Sequence, residues 1–226
     1  MQISTRHGLA FLCMPKCASS SIEIAIRKFC NINISGPPEL KHINAQVYYV
    51  SILSTHKKLM PAVNLESMCL MRNPMDWIES WYRYRSRDEL KDPKHQFHKN
   101  YTGKISFQEF VKEYITDGNR KPFARLSKQC NFITLRNGQI GLDHIMTLDR
   151  MDQVTNFLSE KFSQNIEIPR INVSPKLAGT LDSKTEEDLR QYLVEDIAIY
   201  EFITEHGKFS KALHAEEVLA KRKACR

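Results

Sequence analysis

The chain contains 226 residues, of which 42% are hydrophobic, and it carries a formal net charge of +7. A chain of this length and apolar content can bury one sizeable core, so we expect one domain over residues 1–226 in preference to two. No stretch approaches the roughly 18 consecutive apolar residues of a membrane span, and the opening residues are too weakly apolar for a signal peptide. The positive charge favours an anionic ligand: a nucleotide, a nucleic acid or an acidic polymer.

The cysteine pattern bears on the compartment in which the chain works. None of the six cysteines forms a CxxC pair. Without an export signal, cysteines in a chain of this length are expected to be reduced thiols and not a disulfide framework. We therefore expect a soluble, cytoplasmic protein.

The first predicted unit is a strand, a turn and a helix. Residues 9–14 form an apolar run without a helical period, which predicts a buried strand. Pro15 and the residues up to Ala18 predict a turn. From about Ser19 to Phe29 the apolar residues share one helical face, which predicts the helix.

A second unit of the same kind follows a break at residues 35–40. Residues 45–52 have the spacing of a helix, and the run SMCLM is predicted as a second strand that stops at Arg72. Pro74 and Asp76 suit the start of another helix, because proline is tolerated at the first helical position.

The rest of the chain is predicted from local patterns. Residues 86–104 are polar and poorly periodic, which indicates a surface loop or a lid. Capping-box spacing at Ser106 and at Ser183 predicts two helix starts, and the second helix is expected to be long. The runs NFITL and HIMTL are predicted as strands, with a helix after the second. Strands that alternate with helices predict an α/β fold with a central, mainly parallel sheet flanked by helices.

The turn at residues 15–18 has the chemistry of an anion site. Backbone amides at the start of a helix carry partial positive charge, Lys16 adds a full charge, and the serines add hydroxyl donors. The spacing GxxxxGK[ST] of nucleotide-triphosphate loops is absent. A serine-capped helix with a solvated Lys16 is the simpler alternative. The hydroxyl donors are Ser19, Ser20 and Ser21.

A second anion site is predicted at the next strand end. Arg72 follows the strand, and Ser80 lies one to two helical turns beyond Pro74. A guanidinium and a hydroxyl in these positions can converge on a phosphate. Ligands of such sheets bind at the carboxyl ends of strands, so two sites at two strand ends favour a nucleotide phosphorylated at two places.

Both turns resemble one family. FLCMPKCASSSI resembles the 5′-phosphosulfate loop of sulfotransferases, and CLMRNPMDWIESWYRYR resembles their 3′-phosphate segment. The later runs DHIMTLDRMDQVTNFL, IPRINVSPK and VEDIAIYEFI resemble the carbohydrate-type branch, so the resemblance spans about residues 8–203. Four loop positions depart from the usual Thr, Gly, Thr and Thr; they are Cys17, Ala18, Ser19 and Ser20.

The resemblance implies a three-layer, P-loop-like fold and a transferase that uses 3′-phosphoadenosine 5′-phosphosulfate (PAPS) without a metal. The sulfuryl group would pass to an acceptor hydroxyl, with a carbohydrate expected and a tyrosine-containing peptide, a small alcohol or an amine also open. By the same resemblance, Lys16 would contact the phosphosulfate and stabilise charge on the leaving phosphate, and Arg72 with Ser80 would hold the 3′-phosphate. Asn172 and Ser174 would line the nucleotide pocket. The implied cofactor-binding residues are Lys16, Cys17, Ala18, Ser19, Ser20, Ser21, Arg72, Ser80 and Lys176.

A histidine is the expected general base, because its pKa lies near neutrality. His42 is preferred, since LKHINA lies between the two turns and resembles the KHxxA segment of small bacterial-type relatives. His56 is the alternative, and Glu23 is a weaker candidate. His95 and His98 have HxxH spacing, but no partner set accompanies them, so a loop surface is expected in place of a metal site.

Two other classes compete with the transferase. A P-loop kinase or NTPase would bind a related nucleotide but would need a glycine-rich loop and a magnesium-binding hydroxyl after its lysine. A non-catalytic basic module for acidic polymers would explain the charge alone. The ordered pair of phosphate motifs favours the enzyme, and no nucleic acid partner is expected.

Overall fold

The structure is a computed structural model that describes residues 1–171 and 179–225. Within these residues six short strands form one sheet flanked by helices. The strands are β1 (Gln2–Ser4), β2 (Leu9–Phe11), β3 (Ile32–Asn33), β4 (Glu66–Met71), β5 (His144–Thr147) and β6 (Phe209–Ser210). The helices are α1 (Ser19–Ile26), α2 (Pro38–Lys41), α3 (Ala45–Val47), α4 (Ser54–Leu59), α5 (Pro74–Arg85), α6 (Phe107–Ile115), α7 (Gln129–Ile133), α8 (Met151–Phe162), α9 (Ser183–Tyr192), α10 (Val194–His206) and α11 (Lys211–Ala224).

The sheet is mixed, which corrects the expectation of a mainly parallel one. Its strand order is β3-β1-β2-β4-β5-β6. β4 runs parallel to β2 and β5, whereas the outer pairs β1–β2, β1–β3 and β5–β6 are antiparallel. The outer strands β1, β3 and β6 contain only two or three residues each. Strands this short leave no readable alternation in the sequence, so the parallel centre was predicted and the antiparallel edges were missed.

The parallel centre brings the two predicted turns to one edge of the sheet. In the register of β2 and β4, Phe11 lies beside Met68, and Leu12 donates its backbone N–H to the Met68 carbonyl oxygen at 2.8 Å. Parallel strands end at the same edge, so residues 15–18 and residues 72–73 share it. We call these segments the β2–α1 turn and the β4–α5 turn.

The helix after each turn begins as the sequence indicates. α1 begins at Ser19, and α5 begins at Pro74 with Asn73 as its N-cap. The Asn73 carboxamide oxygen accepts the backbone N–H groups of Met75 at 3.0 Å and Asp76 at 3.4 Å. The capping box predicted at Ser106 is also present and begins α6.

The run NFITL contributes to a helix and not to a strand. α7 covers most of it, and Cys130 and Ile133 of α7 are both buried. The buried Asp196 accepts the Cys130 backbone N–H at 3.0 Å, which satisfies one of the free amides at the start of α7. A contact from α10, distant in sequence, therefore overrides the local strand preference of these residues.

The long C-terminal helix is divided, and its predicted cap is one residue late. α9 ends at Tyr192, and α10 begins at Val194. Asp182, and not Ser183, is the N-cap, because its carboxylate accepts the Thr185 backbone N–H at 2.6 Å.

Residues 86–104 are tied to the fold at defined points. Leu90 and Thr102 are buried, and Thr102 donates its backbone N–H to the Arg85 carbonyl oxygen at 3.0 Å. Two short 3₁₀ helices, Asp88–Lys91 and His98–Asn100, lie between these anchors.

None of the helices in the described part of the chain combines the length and the apolar character needed to cross a membrane.

Candidate functional site

The β2–α1 turn has an unusual backbone that the sequence alone does not reveal. Lys16 and Ala18 both have positive φ angles, 66° and 52°, in a turn without glycine. The Ser19 hydroxyl donates a hydrogen bond to the Met14 carbonyl oxygen at 2.6 Å, which closes the turn. Ser21 and Ile22 donate their backbone N–H groups to the Ala18 carbonyl oxygen at 3.0 and 3.2 Å, so the amides of Ser19 and Ser20 are the ones at the start of α1 that lack an intrahelical acceptor.

One face of α5 packs against this turn. The Trp77 indole N–H donates a hydrogen bond to the Pro15 carbonyl oxygen at 2.8 Å. The Lys16 ammonium nitrogen lies 4.2 Å from the centre of the Tyr84 ring. Ser80 falls between Trp77 and Tyr84 at helical spacing and is buried, so its side chain lies on the face that meets the turn. The structure therefore brings Ser80 to the same region as Lys16.

Arg72 lies at the end of β4, in the β4–α5 turn, and is partly buried. No hydrogen bond or ion pair of its guanidinium is found among residues 1–171 and 179–225. The backbone of Arg72 is held by Gln129, which receives its N–H at 3.0 Å and donates to its carbonyl oxygen at 2.9 Å. Gln129 thus holds the backbone of Arg72 and not its charged group.

Positive charges concentrate at Lys16. Burial is the main reason that the pKa of Lys16 falls to about 8. Neighbouring guanidinium groups lower this pKa further, because a second positive charge is costly beside the first. These groups belong to Arg87, Arg72 and Arg83.

The aromatic ring of Tyr84 contacts two of these cations. Lys16 contacts it, and the Arg87 guanidinium carbon lies 4.8 Å from its centre. Arg83 is buried and forms an ion pair with Glu79 at 3.1 Å. Like charges this close repel one another, so the region is electrostatically suited to a group with several negative charges.

The three predicted serine ligands do not play equivalent roles. Ser19 uses its hydroxyl hydrogen within the turn, so it is not free to donate to a ligand as predicted. Ser21 is buried, and Ser20 is only partly buried. Ser20 is therefore the hydroxyl of the three that is best placed to reach a ligand.

Cys17 faces the protein interior. Burial raises the pKa of its thiol to about 12, and the S–H group donates to the Gln129 side-chain oxygen at 3.5 Å. Cys17 can offer a ligand its backbone amide but not its side chain. The same holds for Ala18, whose methyl group has no polar atom.

His42 lies beside the β2–α1 turn. Its Nδ1 atom donates to the Cys13 carbonyl oxygen at 2.6 Å, since a carbonyl can only accept. This bond leaves the proton on Nδ1 and a lone pair on Nε2. Burial lowers the pKa of His42 below its ordinary value, so the ring is neutral at pH 7 and Nε2 can accept a proton.

His56 lies at the opposite edge of the sheet. Its Nε2 atom bonds to the carbonyl oxygen of Val63 at 2.9 Å, and Val63 precedes the amino end of β4. Lys16 and Arg72 follow the carboxyl ends of the strands. The structure therefore does not bring His56 to the predicted anion sites.

Glu23 is an ion-pair partner of the segment that carries His42. Its carboxylate lies 2.7 Å from the Lys41 ammonium nitrogen, and its side chain is 9% exposed. The pair anchors the end of α2 to α1. This bond gives Glu23 a structural role and explains a buried carboxylate near the turn.

His95 and His98 make local contacts within residues 86–104. His98 Nδ1 donates to the Leu90 carbonyl oxygen at 2.9 Å, and His95 Nδ1 accepts the Phe97 backbone N–H at 3.1 Å. Within residues 1–171 and 179–225, no group of three or more His, Cys, Asp or Glu side chains is arranged to hold a metal ion. Asn172, Ser174 and Lys176 lie outside the described residues.

The sequence did not indicate the role of Gln129 or the contact of Trp77 with the β2–α1 turn. The helical spacing of Trp77 and Tyr84 did signal one shared face, but not that this face meets the β2–α1 turn. Gln129 had no signal, because it precedes a run predicted as a strand. Its hydrogen bonds to Arg72 join residues far apart in the sequence, so they form only when β4 and α7 pack together.

A comparison of the chain with protein-family models, with curated proteins and with solved structures finds no match in any of the three. The geometry and charge of the two turns are therefore the features of this chain that bear on its function.

Proposed function

We propose that this protein is a PAPS-dependent sulfotransferase with a P-loop-like, three-layer fold. It transfers the sulfuryl group of PAPS to an acceptor hydroxyl, and the acceptor is a carbohydrate. The observation that carries the proposal is the meeting of the β2–α1 and β4–α5 turns at one edge of the sheet, with Lys16 and Arg72 in a shared field of positive charge.

The chemistry of PAPS fits this arrangement. It carries a phosphosulfate on its 5′ side and a phosphate on its 3′ side, so it needs two cationic sites at a fixed separation. Lys16, Ser20 and the first amides of α1 bind the phosphosulfate, while Arg72 and Ser80 bind the 3′-phosphate. The contacts of Trp77 and Tyr84 with the β2–α1 turn support a fixed separation.

The transfer step follows from these placements. The acceptor oxygen attacks sulfur and forms a new O–S bond, while the bond from sulfur to the bridging phosphate oxygen breaks. His42 Nε2 takes the proton of the acceptor hydroxyl. The leaving 5′-phosphate gains negative charge, which Lys16 stabilises. The products are the sulfated acceptor and adenosine 3′,5′-bisphosphate.

The test is transfer of radiolabelled sulfate from PAPS to a panel of oligosaccharides, tyrosine-containing peptides and small alcohols and amines, without magnesium. We expect label in at least one carbohydrate. His42→Ala should lower the transfer rate by about 10²- to 10⁴-fold and leave the affinity for adenosine 3′,5′-bisphosphate within about threefold, because a general base acts on the reaction and not on the nucleotide.

His56→Ala is the matched control, since it removes a histidine at the other edge of the sheet. It should leave the transfer rate unchanged. Loss of transfer in His56→Ala with full activity in His42→Ala would overturn the assignment of the base. Phosphate transfer from ATP that requires magnesium would favour a kinase instead.

A further inference from the structure

The Gln129 side chain connects the two turns at the sheet edge. Its oxygen accepts the Arg72 backbone N–H at 3.0 Å, and its amide nitrogen donates to the Arg72 carbonyl oxygen at 2.9 Å. The same oxygen also accepts the Cys17 thiol hydrogen at 3.5 Å. Gln129 thus contacts the β4–α5 turn by two bonds and the β2–α1 turn by a third.

These contacts fix the orientation of the Gln129 amide. The Arg72 N–H can only donate and its carbonyl can only accept, so a reversed amide would place donor against donor and acceptor against acceptor. Gln129 is 1% exposed, so water cannot replace these bonds easily. The Cys17 thiol keeps its proton because burial raises its pKa to about 12.

The backbone of Gln129 is itself held in place. Asp196 of α10 is fully buried, and it accepts the backbone N–H group of Cys130, the residue that follows Gln129, at 3.0 Å. α7 therefore begins at a point fixed by α10. A side chain on so fixed a backbone can set the distance between the two segments that it contacts.

We infer that Gln129 is a positioning residue that holds the two anion-binding turns at the separation required by a nucleotide with phosphates on both its 3′ and 5′ sides. The inference deepens the proposed function and rests on it for the identity of the ligand. A doubly phosphorylated nucleotide gains affinity when both phosphates bind at once, because the second contact is intramolecular. A nucleotide with a single phosphate binds that phosphate at one turn, so its affinity does not depend on the distance between the two turns.

The test compares three nucleotides by calorimetric titration: adenosine 3′,5′-bisphosphate, adenosine 3′-phosphate and adenosine 5′-phosphate. Gln129→Leu keeps the approximate size of the side chain and removes its hydrogen bonds. We expect the affinity for the bisphosphate to fall roughly tenfold or more. The affinities for the two monophosphates should each change by less than about threefold, since each turn keeps its own charged groups.

Gln108→Leu is the matched control. The Gln108 amide also joins two segments, because it donates to the Asp182 carboxylate at 2.6 Å and accepts the Asp182 backbone N–H at 3.1 Å. These bonds lie at the start of α9, away from the turns. The control should preserve the ratio of bisphosphate to monophosphate affinity even if it lowers the unfolding temperature.

Gln129→Glu provides a second route if the leucine variant does not fold. A protonated carboxyl group can accept from the Arg72 N–H and donate to the Arg72 carbonyl, whereas a carboxylate cannot donate. Relative to wild type at each pH, the preference for the bisphosphate should therefore be weak at pH 8 and recover as the pH falls. Absence of recovery would overturn the inference.

The outcomes distinguish a failure of the positioning role of Gln129 from a failure of the proposed function. A wild type that prefers the bisphosphate, with the preference retained in Gln129→Leu, overturns the positioning role alone. A wild type that binds all three nucleotides equally overturns the proposed function and the positioning role together.

Discussion

The surroundings of Lys16 bring its pKa close to the physiological range. Its pKa falls to about 8 through burial and the nearby guanidinium groups. It is therefore charged below that pH and loses its charge as the pH rises through it. An anionic ligand favours the charged form, so binding and protonation support each other.

The affinity for adenosine 3′,5′-bisphosphate should consequently fall as the pH rises from 7 to 9.5. The phosphates do not change over this range, because their second pKa is about 6. Lys16→Arg is the control, since a guanidinium stays charged over this pH range. The affinity of this variant for the bisphosphate should therefore vary much less with pH. Calorimetric titrations at a series of pH values measure the affinity of the wild type and of the variant. An equal decline in wild type and Lys16→Arg would show that another group is responsible.

Arg72 should decide the preference for a 3′-phosphate. Its guanidinium has no protein partner in the described part of the chain, so a ligand can bind it directly. Arg72→Ala should weaken binding of adenosine 3′,5′-bisphosphate roughly 10- to 100-fold, as expected for a hydrogen bond between charged groups. Binding of adenosine 5′-phosphate should change far less.

The control for Arg72 is Arg6→Ala. Arg6 is exposed and lies between β1 and β2, at the other end of the sheet from the turns. Its removal lowers the net charge by the same amount, so it separates a local contact from a general loss of attraction. If both variants lose the same affinity, Arg72 does not hold the 3′-phosphate.

At the scale of elements, the β2–α1 turn contains a residue in an unfavourable conformation. Ala18 has φ 52° and ψ 22°, a left-handed conformation that costs an alanine roughly 1 kcal/mol relative to glycine. Ala18→Gly should therefore stabilise the protein, by about 0.5 kcal/mol after the greater freedom of glycine in the unfolded chain is included. Urea denaturation measures the change.

Ala25→Gly is the matched substitution within the same segment. Ala25 lies inside α1, where glycine costs about 0.5–1 kcal/mol relative to alanine. The two variants should thus change stability in opposite directions. A destabilised Ala18→Gly would contradict the left-handed conformation of this position.

The sequence predicted those elements whose signals are local. The strand, turn and helix of each unit follow from an apolar run, a proline and a helical period, and both turns appear where they were expected. The capping box at Ser106 was predicted for the same reason. α7 was not predictable in this way, because the bond from Asp196 to Cys130 joins residues far apart in the chain.

At the scale of the whole molecule, the sheet decides which predicted residues meet. Arg72 and Lys16 follow adjacent parallel strands, so they come to one edge, and His42 joins them through Cys13. His56 lies at the other edge of the sheet, because its ring bonds to the carbonyl oxygen of Val63, which precedes the amino end of β4. The sequence already favoured His42 over His56, and the structure places His42, and not His56, beside the β2–α1 turn.

Nearly all of the buried apolar side chains among the described residues belong to one core cluster. It includes residues of the central strands and of α1, α6 and α10, such as Phe11, Ile22, Phe110 and Phe202. The two turns are thus built on a shared core, and their separation depends on how that core packs. The buried side chain of Gln129 contacts both turns, through its hydrogen bonds to Arg72 and Cys17.

The measurement that tests the central claim most directly is a calorimetric titration of the wild-type protein without magnesium, with adenosine 3′,5′-bisphosphate, adenosine 5′-phosphate and ATP. The account predicts that the bisphosphate binds at least about tenfold more tightly than either of the others, because it alone places a phosphate at each turn. Equal affinity for the three nucleotides, or tighter binding of ATP, would contradict the account.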